Sequence, residues 1–167
     1  PYSPKQSIVL GVGNISTGGT GKTVFVSFLI DLLRPTHAAV VVRGYGGTCG
    51  DVCLVQNDDG NLQPPGFVGD EAYMLATMHS CPIAVGVKRD KACRLLEKIF
   101  SVNLTQISYI ILDDSYQNNQ VKKDCEIVLL DARKPFDTGH CLPAGRLREK
   151  DLSRADIIIL THADKVD

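Results

Sequence analysis

The chain has no excess of positive charge: 18 lysines and arginines stand against 19 aspartates and glutamates, a net charge of -1 over 167 residues. A protein that grips a nucleic-acid backbone usually shows a basic excess, so no nucleic-acid partner is expected, and a bound anion must be held by backbone and a few local cations. Also missing is any run of roughly 18 to 20 continuous apolar residues, the length that spans a bilayer. No signal-peptide pattern is visible. The six cysteines (Cys49, Cys53, Cys81, Cys93, Cys125 and Cys141) are scattered, with no C-x-x-C pair and no histidine at metal-ligand spacing. That argues against structural zinc and predicts reduced thiols. Internal repeats and low-complexity segments are absent too. What remains is an ordinary globular composition, 44% hydrophobic and 22% charged, which leaves no case for disorder. At this length one domain is expected, burying roughly 70% of the surface its unfolded chain exposes.

Six short apolar runs predict strands: residues 8–12, 39–42, 83–85, 109–112, 127–130 and 157–160. They are continuous rather than alternating, the pattern of strands covered on both faces in a parallel sheet between helical layers. Helices are predicted over residues 22–33, 71–79 and 89–100. In the last, Ala92, Leu95, Leu96 and Ile99 form one apolar stripe, with Arg94, Glu97 and Lys98 on the other side. Alternation of strand and helix predicts a doubly wound α/β sandwich with right-handed crossovers. Two stretches, 44–69 and 132–153, are rich in glycine, proline and polar residues and are expected to be functional loops.

After the first strand run comes Gly13-Asn14-Ile15-Ser16-Thr17-Gly18-Gly19-Thr20-Gly21-Lys22-Thr23, leading into a helix. Glycines let the backbone curl so that successive N–H groups point at phosphate oxygens, and the helix N-terminus adds its positive dipole end. Lys22 brings a point charge to the β and γ phosphates, and Thr23 offers a hydroxyl to magnesium. The pattern G-x-x-x-x-G-K-[ST] is met except at its first position, where Ser16 stands. The fold class is therefore a P-loop NTPase-type α/β three-layer sandwich with a mostly parallel sheet, and Ser16, Thr17, Gly18, Gly19, Thr20, Gly21, Lys22 and Thr23 are the nucleotide-binding residues. An acidic residue on a neighbouring strand is needed near the metal, and Asp113-Asp114 supplies it. Adjacent residues on a strand point to opposite sides, so one carboxylate is expected at the metal and the other at substrate or a loop donor. Lys88 and Arg89 sit where a helix begins, which the dipole disfavours and an anionic partner would offset. The histidines His37, His79, His140 and His162 are isolated, with surface or packing roles expected; His140 alone leads into a conspicuous block.

With these residues placed, the chain resembles the tetraacyldisaccharide 4'-kinase (lipid A 4'-kinase) family over nearly its whole length. The resemblance rests on residues 13–23, Arg43-Gly44-Tyr45-Gly46-Gly47, Val68-Gly69-Asp70-Glu71, Asp113-Asp114 with Gln117, and Leu142-Pro143-Ala144-Gly145-Arg146-Leu147-Arg148-Glu149. In that family Ser16 is a normal occupant. The resemblance implies ATP- and Mg2+-dependent transfer of a γ-phosphate to the 4'-hydroxyl of a tetraacyldisaccharide 1-phosphate in lipid A biosynthesis. It implies catalytic roles for Asp70, Lys22, Asp114 and Arg148, with Asp70 positioning or deprotonating the sugar hydroxyl. Metal contacts fall to Thr23, Asp113, Asp114 and Glu149, and substrate contacts to Arg43, Gln117, Asn118 and Arg89. From the residues alone, Asp70 also reads as a helix N-cap, and Arg148-Glu149 as a solvated charged face.

Ser115 and Asn118 depart from the glycine and histidine usual in the family. Members also carry an apolar membrane-docking segment at the start and a later Asp-His motif, and neither stands in this sequence. The chain starts at Pro1 and stops at Asp167 after a strand-like run, so residues 1–167 are expected to be the kinase domain of something longer. The implied partners are a lipid disaccharide and a membrane surface, at the cytoplasmic face of the inner membrane in a bacterium or in an organelle, the mitochondrion, in a plant. The alternatives are a GTPase or other P-loop NTPase, because Thr161-His162-Ala163-Asp164 faintly matches [NT]-K-x-D, and a catalytically impaired nucleotide-binding relative.

Overall fold

The computed structural model describes residues 1–33, 38–57, 59–102 and 107–166; His37 lies outside them. In chain order the elements are β1 (Ile8–Asn14), α1 (Lys22–Leu33), β2 (Ala38–Val42), β3 (Cys53–Leu54), α2 (Pro65–Val68), α3 (Asp70–Met78), β4 (Ile83–Val85), α4 (Arg89–Val102), β5 (Tyr109–Asp113), β6 (Cys125–Asp131) and β7 (Ile157–Thr161), closed by a 3-10 turn at Ala163–Lys165. Seven strands form one sheet in the order β3-β4-β2-β5-β1-β6-β7. All neighbours are parallel except β3, which runs antiparallel to β4.

Burial explains why the apolar runs are continuous. β2 is buried at all five residues and β6 at its five central ones. Successive side chains of a strand point to opposite faces, so Ile127 and Leu129 enter the core packed by α1 and α3, whereas Val128 and Leu130 enter a cluster with Ile15, Tyr116 and Leu147. On one face Val26, Leu29 and Ile30 of α1 and Ala72 and Leu75 of α3 meet Val12, Val40 and Ile111. On the other, Ala92, Cys93 and Leu96 of α4 meet Val9, Val41 and Leu112. Burying each such leucine or isoleucine contributes about 2 kcal/mol.

β7 is the last strand of this chain. It has one strand neighbour, and Ile157, Ile158 and Leu160 are exposed. The 44–69 stretch holds two elements the sequence did not announce, because β3 and α2 are too short to show a period. It also overturns the expectation of reduced thiols: Cys49 and Cys53, with Cα atoms 6.4 Å apart, form a disulfide. Their spacing follows no common pairing motif, and the short loop through Gly50 and the bend at Asp51 brings them together.

Candidate active site

The strand order reverses at β1. The chain leaves β1 for β2 on one side, returns through β5, and then places β6 and β7 on the other side. Crevices for ligands form at the carboxyl ends of strands at such a switch point, and here those ends carry the chemistry. The P-loop follows β1, Arg43 follows β2, and Asp113 ends β5.

The loop is shaped from inside. Asn14, fully buried, donates from Nδ2 to the Ser16 carbonyl (2.8 Å) and to Thr20 Oγ1 (2.9 Å), bridging the two arms of the curve. Gly18 (φ +130°) and Gly21 (φ +78°) take backbone conformations closed to most side chains, and a Cβ on Gly18 or Gly19 would meet nothing within 4 Å. The segment 140–148 is laid across the loop by backbone bonds, Thr17 N to Arg146 O at 2.7 Å and Arg148 N to Ile15 O at 2.6 Å. That contact delivers Arg148 to the site over a sequence distance no local pattern reveals.

The resulting cleft, of about 440 Å³, is lined by Gly18 through Val24, Arg43, Tyr45, Glu71, Asp113, Asp114 and Arg148. Lys22 Nζ lies 3.5 Å from Asp114 Oδ1, and Arg148 Nη1 reaches the same oxygen at 3.0 Å. Burial alone would raise the Asp114 pKa, but Lys22 and Arg148 outweigh it and hold the carboxyl below its ordinary value. Asp113 is the opposite case. Burial first, then the charge of Glu71, push it up to about 7 in spite of Lys22. The two carboxylates do not face opposite sides as a strand pattern would have them. β5 ends at Asp113, and Asp114 turns back in a left-handed conformation (φ 50°), its N–H donating to Asp113 Oδ1 at 2.8 Å, so both border one cleft.

Thr23 Oγ1 donates to the carboxylate of Glu71. Glu71, Tyr45 and Val24 are cleft residues that sequence reasoning missed. The signal for Glu71 was present as a second carboxylate beside Asp70, but its use depends on α3 starting at Asp70 and packing beside α1. Asp70 itself is exposed, the first residue of α3, and does not line the cleft. It is not the helix N-cap, a place Gly69 takes with φ 92°.

A second cleft of about 430 Å³ adjoins the first and shares Arg43, Asp114 and Arg148 with it. Val87, Arg89, Gln117, Asn118 and Gln120 complete it. The Arg89 side chain is only 2% exposed, donating from Nη1 to Gly86 O (2.7 Å) and from Nη2 to Asp113 O (3.0 Å), and its burial lowers its pKa. Lys88 meets an anion of the protein itself, Asp51, at 3.4 Å. Gln117 donates from Nε2 to Asn14 O (2.9 Å) and Glu149 Oε1 (2.8 Å), and Asn118 Oδ1 accepts from Gln120 N. Glu149 is thus brought beside Gln117 and Arg154 rather than beside Thr23 and Asp113. Ser16 and Thr17 face a third cleft with Arg133, Lys134 and Arg146. His162, in a left-handed conformation, lies 3.4 Å from Asp131.

Residues 3–167 match the family model LpxK, described as tetraacyldisaccharide-1-P 4'-kinase. The tetraacyldisaccharide 4'-kinase of Halothermothrix orenii is 40% identical over 167 residues, covering 96% of this chain and 42% of that protein. Its namesake from Chlorobium phaeovibrioides is 37% identical over 175 residues, covering 100% of this chain and 49% of that protein. The chain therefore spans under half the length of these curated relatives. A crystal structure described as the "apo" form of LpxK from Aquifex aeolicus in complex with ATP superposes with a TM-score of 0.83 at 30% identity, over 98% of this chain and 50% of that one. A P-loop cleft at the β1 switch point, together with this match from residue 3 to residue 167, shows that the chain belongs to the tetraacyldisaccharide-1-P 4'-kinase family.

Proposed function

We propose that this chain is the nucleotide-handling domain of a kinase that moves the γ-phosphate of ATP to the 4'-hydroxyl of a tetraacyldisaccharide 1-phosphate in lipid A biosynthesis. The observation that carries this reading is the single cleft in which the phosphate loop, Lys22, Asp113, Asp114 and Arg148 converge, in a member of this family. Phosphoryl transfer asks mainly for alignment and charge neutralisation. The backbone of Ser16 to Gly21 cradles the phosphates, Lys22 neutralises the β and γ oxygens, and Arg148 approaches from across the cleft.

The donors fit Mg2+. Thr23 Oγ1 and the Glu71 and Asp113 carboxylates are hard oxygen ligands gathered in one place. A buried carboxyl at about 7 next to a second acid is also the electrostatic situation a cation relieves. When bound, Mg2+ neutralises phosphate oxygens. Thr23, Glu71 and Asp113 would hold it, with Asp114 engaged by Lys22 and Arg148.

The acceptor side is the second cleft, where Arg43, Gln117 and Asn118 offer a cation and amides to a phosphorylated sugar, and the buried Arg89 braces the cleft wall from behind through the Gly86 and Asp113 carbonyls. The Asp70 side chain makes no hydrogen bond among the described residues; one position before Glu71, it is assigned to the acceptor hydroxyl as base or positioning group. An acylated substrate places the work at a membrane surface, the cytoplasmic face of the inner membrane in a bacterium. No helix of the described residues is long and apolar enough to cross a membrane.

The test is transfer from labelled ATP to the tetraacyldisaccharide 1-phosphate by the protein at its natural full length, with GTP as comparator. Acceptor-dependent labelling with ATP supports the reading. Equal use of GTP, or full-rate hydrolysis without lipid, would replace it with a simple NTPase.

A further inference from the structure

Arg154 lies in the irregular stretch before β7, well away from the phosphate loop in sequence, with its side chain 41% exposed. It is held at three points. Nη2 donates to Glu149 Oε2, Nη1 donates to the Tyr116 carbonyl at 3.1 Å, and the guanidinium stacks 4.5 Å above the centroid of the fully buried Tyr116 ring. Tyr116 and Glu149 belong to the two segments that deliver Asp114 and Arg148 to the cleft. One side chain therefore ties both segments together.

The contacts continue inward with a fixed polarity. Glu149, its Oε2 taken by Arg154, presents Oε1 to Gln117 Nε2 at 2.8 Å, and the same amide nitrogen donates to Asn14 O. Both partners of Nε2 are acceptors, so the Gln117 amide cannot flip without loss. Its Oε1 is left facing Arg148 Nη1 at 3.3 Å. Arg148 Nη1 then contacts both oxygens of Asp114, at 3.0 and 3.2 Å, and Asp114 holds Lys22.

We infer that Arg154 is a positioning residue for phosphoryl transfer, acting through Glu149 and Gln117 to set Arg148 against Asp114 and Lys22. The inference rests on the kinase reading above. The exposed ion pair contributes little to stability, so what Arg154 adds to Tm comes from the Tyr116 stack and carbonyl bond, and a positioning role requires a kcat loss larger than that Tm change explains. Without it, Glu149 is released beside its sequence neighbour Arg148 and competes with Asp114 for that guanidinium.

The test uses the full-length protein with Arg154→Met, Arg154→Lys, Gln117→Ala and the double variant Arg154→Met/Gln117→Ala. Arg154→Met is expected to lower kcat roughly 10-fold, the scale of a small misplacement, with KM for ATP within about 2-fold and only a small loss of Tm. Arg154→Lys should recover part of the loss, since it restores charge to Glu149 without the fork or the stacking. The double variant should be no worse than the poorer single variant, because both break one path. Unchanged kcat, a kcat loss that tracks Tm, or additive effects would overturn the inference. A second readout needs no turnover: the Gln117 side-chain amide resonances, identified by their absence in Gln117→Ala, should shift in Arg154→Met. If the wild type transfers no phosphate, the kinase reading fails by itself, and shifted or unshifted amide resonances still decide whether Arg154 orients Gln117.

Discussion

Lys22 Nζ lies 3.5 Å from Asp114 Oδ1, and Arg148 Nη1 shares that oxygen at 3.0 Å. The phosphate-loop lysine thus has an anion of the protein beside it where the γ-phosphate would otherwise be its partner. Nucleotide binding exchanges one anion for another instead of desolvating a bare ammonium.

Lys22→Ala is therefore expected to weaken ATP binding roughly 10- to 100-fold, the value of one charged hydrogen bond of ~1.5–3 kcal/mol. Arg148 still neutralises Asp114, so the melting temperature should hardly move. Calorimetric titration with ATP and a thermal melt check both parts.

Asp113 makes stability depend on pH. Its pKa rises from 3.8 to about 7 on folding, through burial first and Glu71 second. The folded state then keeps a proton that the unfolded chain releases, so the contribution is full below about pH 4 and is lost as pH rises to about 7, levelling above that. Asp113→Asn should remove this slope and be the more stable protein at pH 8. Because a cation must displace the proton, the Tm gain from MgATP over ATP should be larger at pH 8 than at pH 6 in the wild type and absent in the variant. Melts across this range decide it.

Asp70→Asn should abolish transfer to the sugar hydroxyl while ATP affinity stays within error. Asp70 is exposed and caps nothing, and its charge in the first turn of α3 contributes only the small dipole interaction of an exposed acid, so a structural effect of its loss is limited to a slight shift of Tm. A fall in ATP affinity comparable to that of Lys22→Ala would reassign it to the nucleotide.

Gly44 and Gly50 test the turn behind Arg43. Gly44 has φ +73°, and a Cβ there would stand 2.1 Å from Val85 Cγ1; around Gly50 nothing lies within 4 Å. Gly44→Ala is expected to cost about 1–3 kcal/mol, and Gly50→Ala almost nothing. Denaturant midpoints compare the two.

Much of the fold was legible because its signals are local. The six strand runs and three helices appear within one or two residues of where periodicity put them, and the glycine spacing announced the phosphate loop. What stayed hidden depends on long-range contact. β3 and α2 are too short for a period, and Cys49–Cys53 pairs across a short loop with no spacing motif. Arg89 read as a substrate cation, yet its guanidinium is sealed against the Gly86 and Asp113 carbonyls.

By itself the sequence determined a parallel α/β sandwich, a phosphate loop and the residue types that serve it, because strand, turn and helix preferences act over a few neighbouring residues. The tertiary structure alone decided which side chains share the cleft. It brought Glu71 to Thr23 by packing α3 beside α1, set Arg148 on Asp114 by pairing residues 146–148 with the phosphate loop, and raised the Asp113 pKa by burying it next to Glu71. Coulombic coupling, hydrogen bonding and desolvation depend on distance in space, and that distance exists only after the sheet has formed.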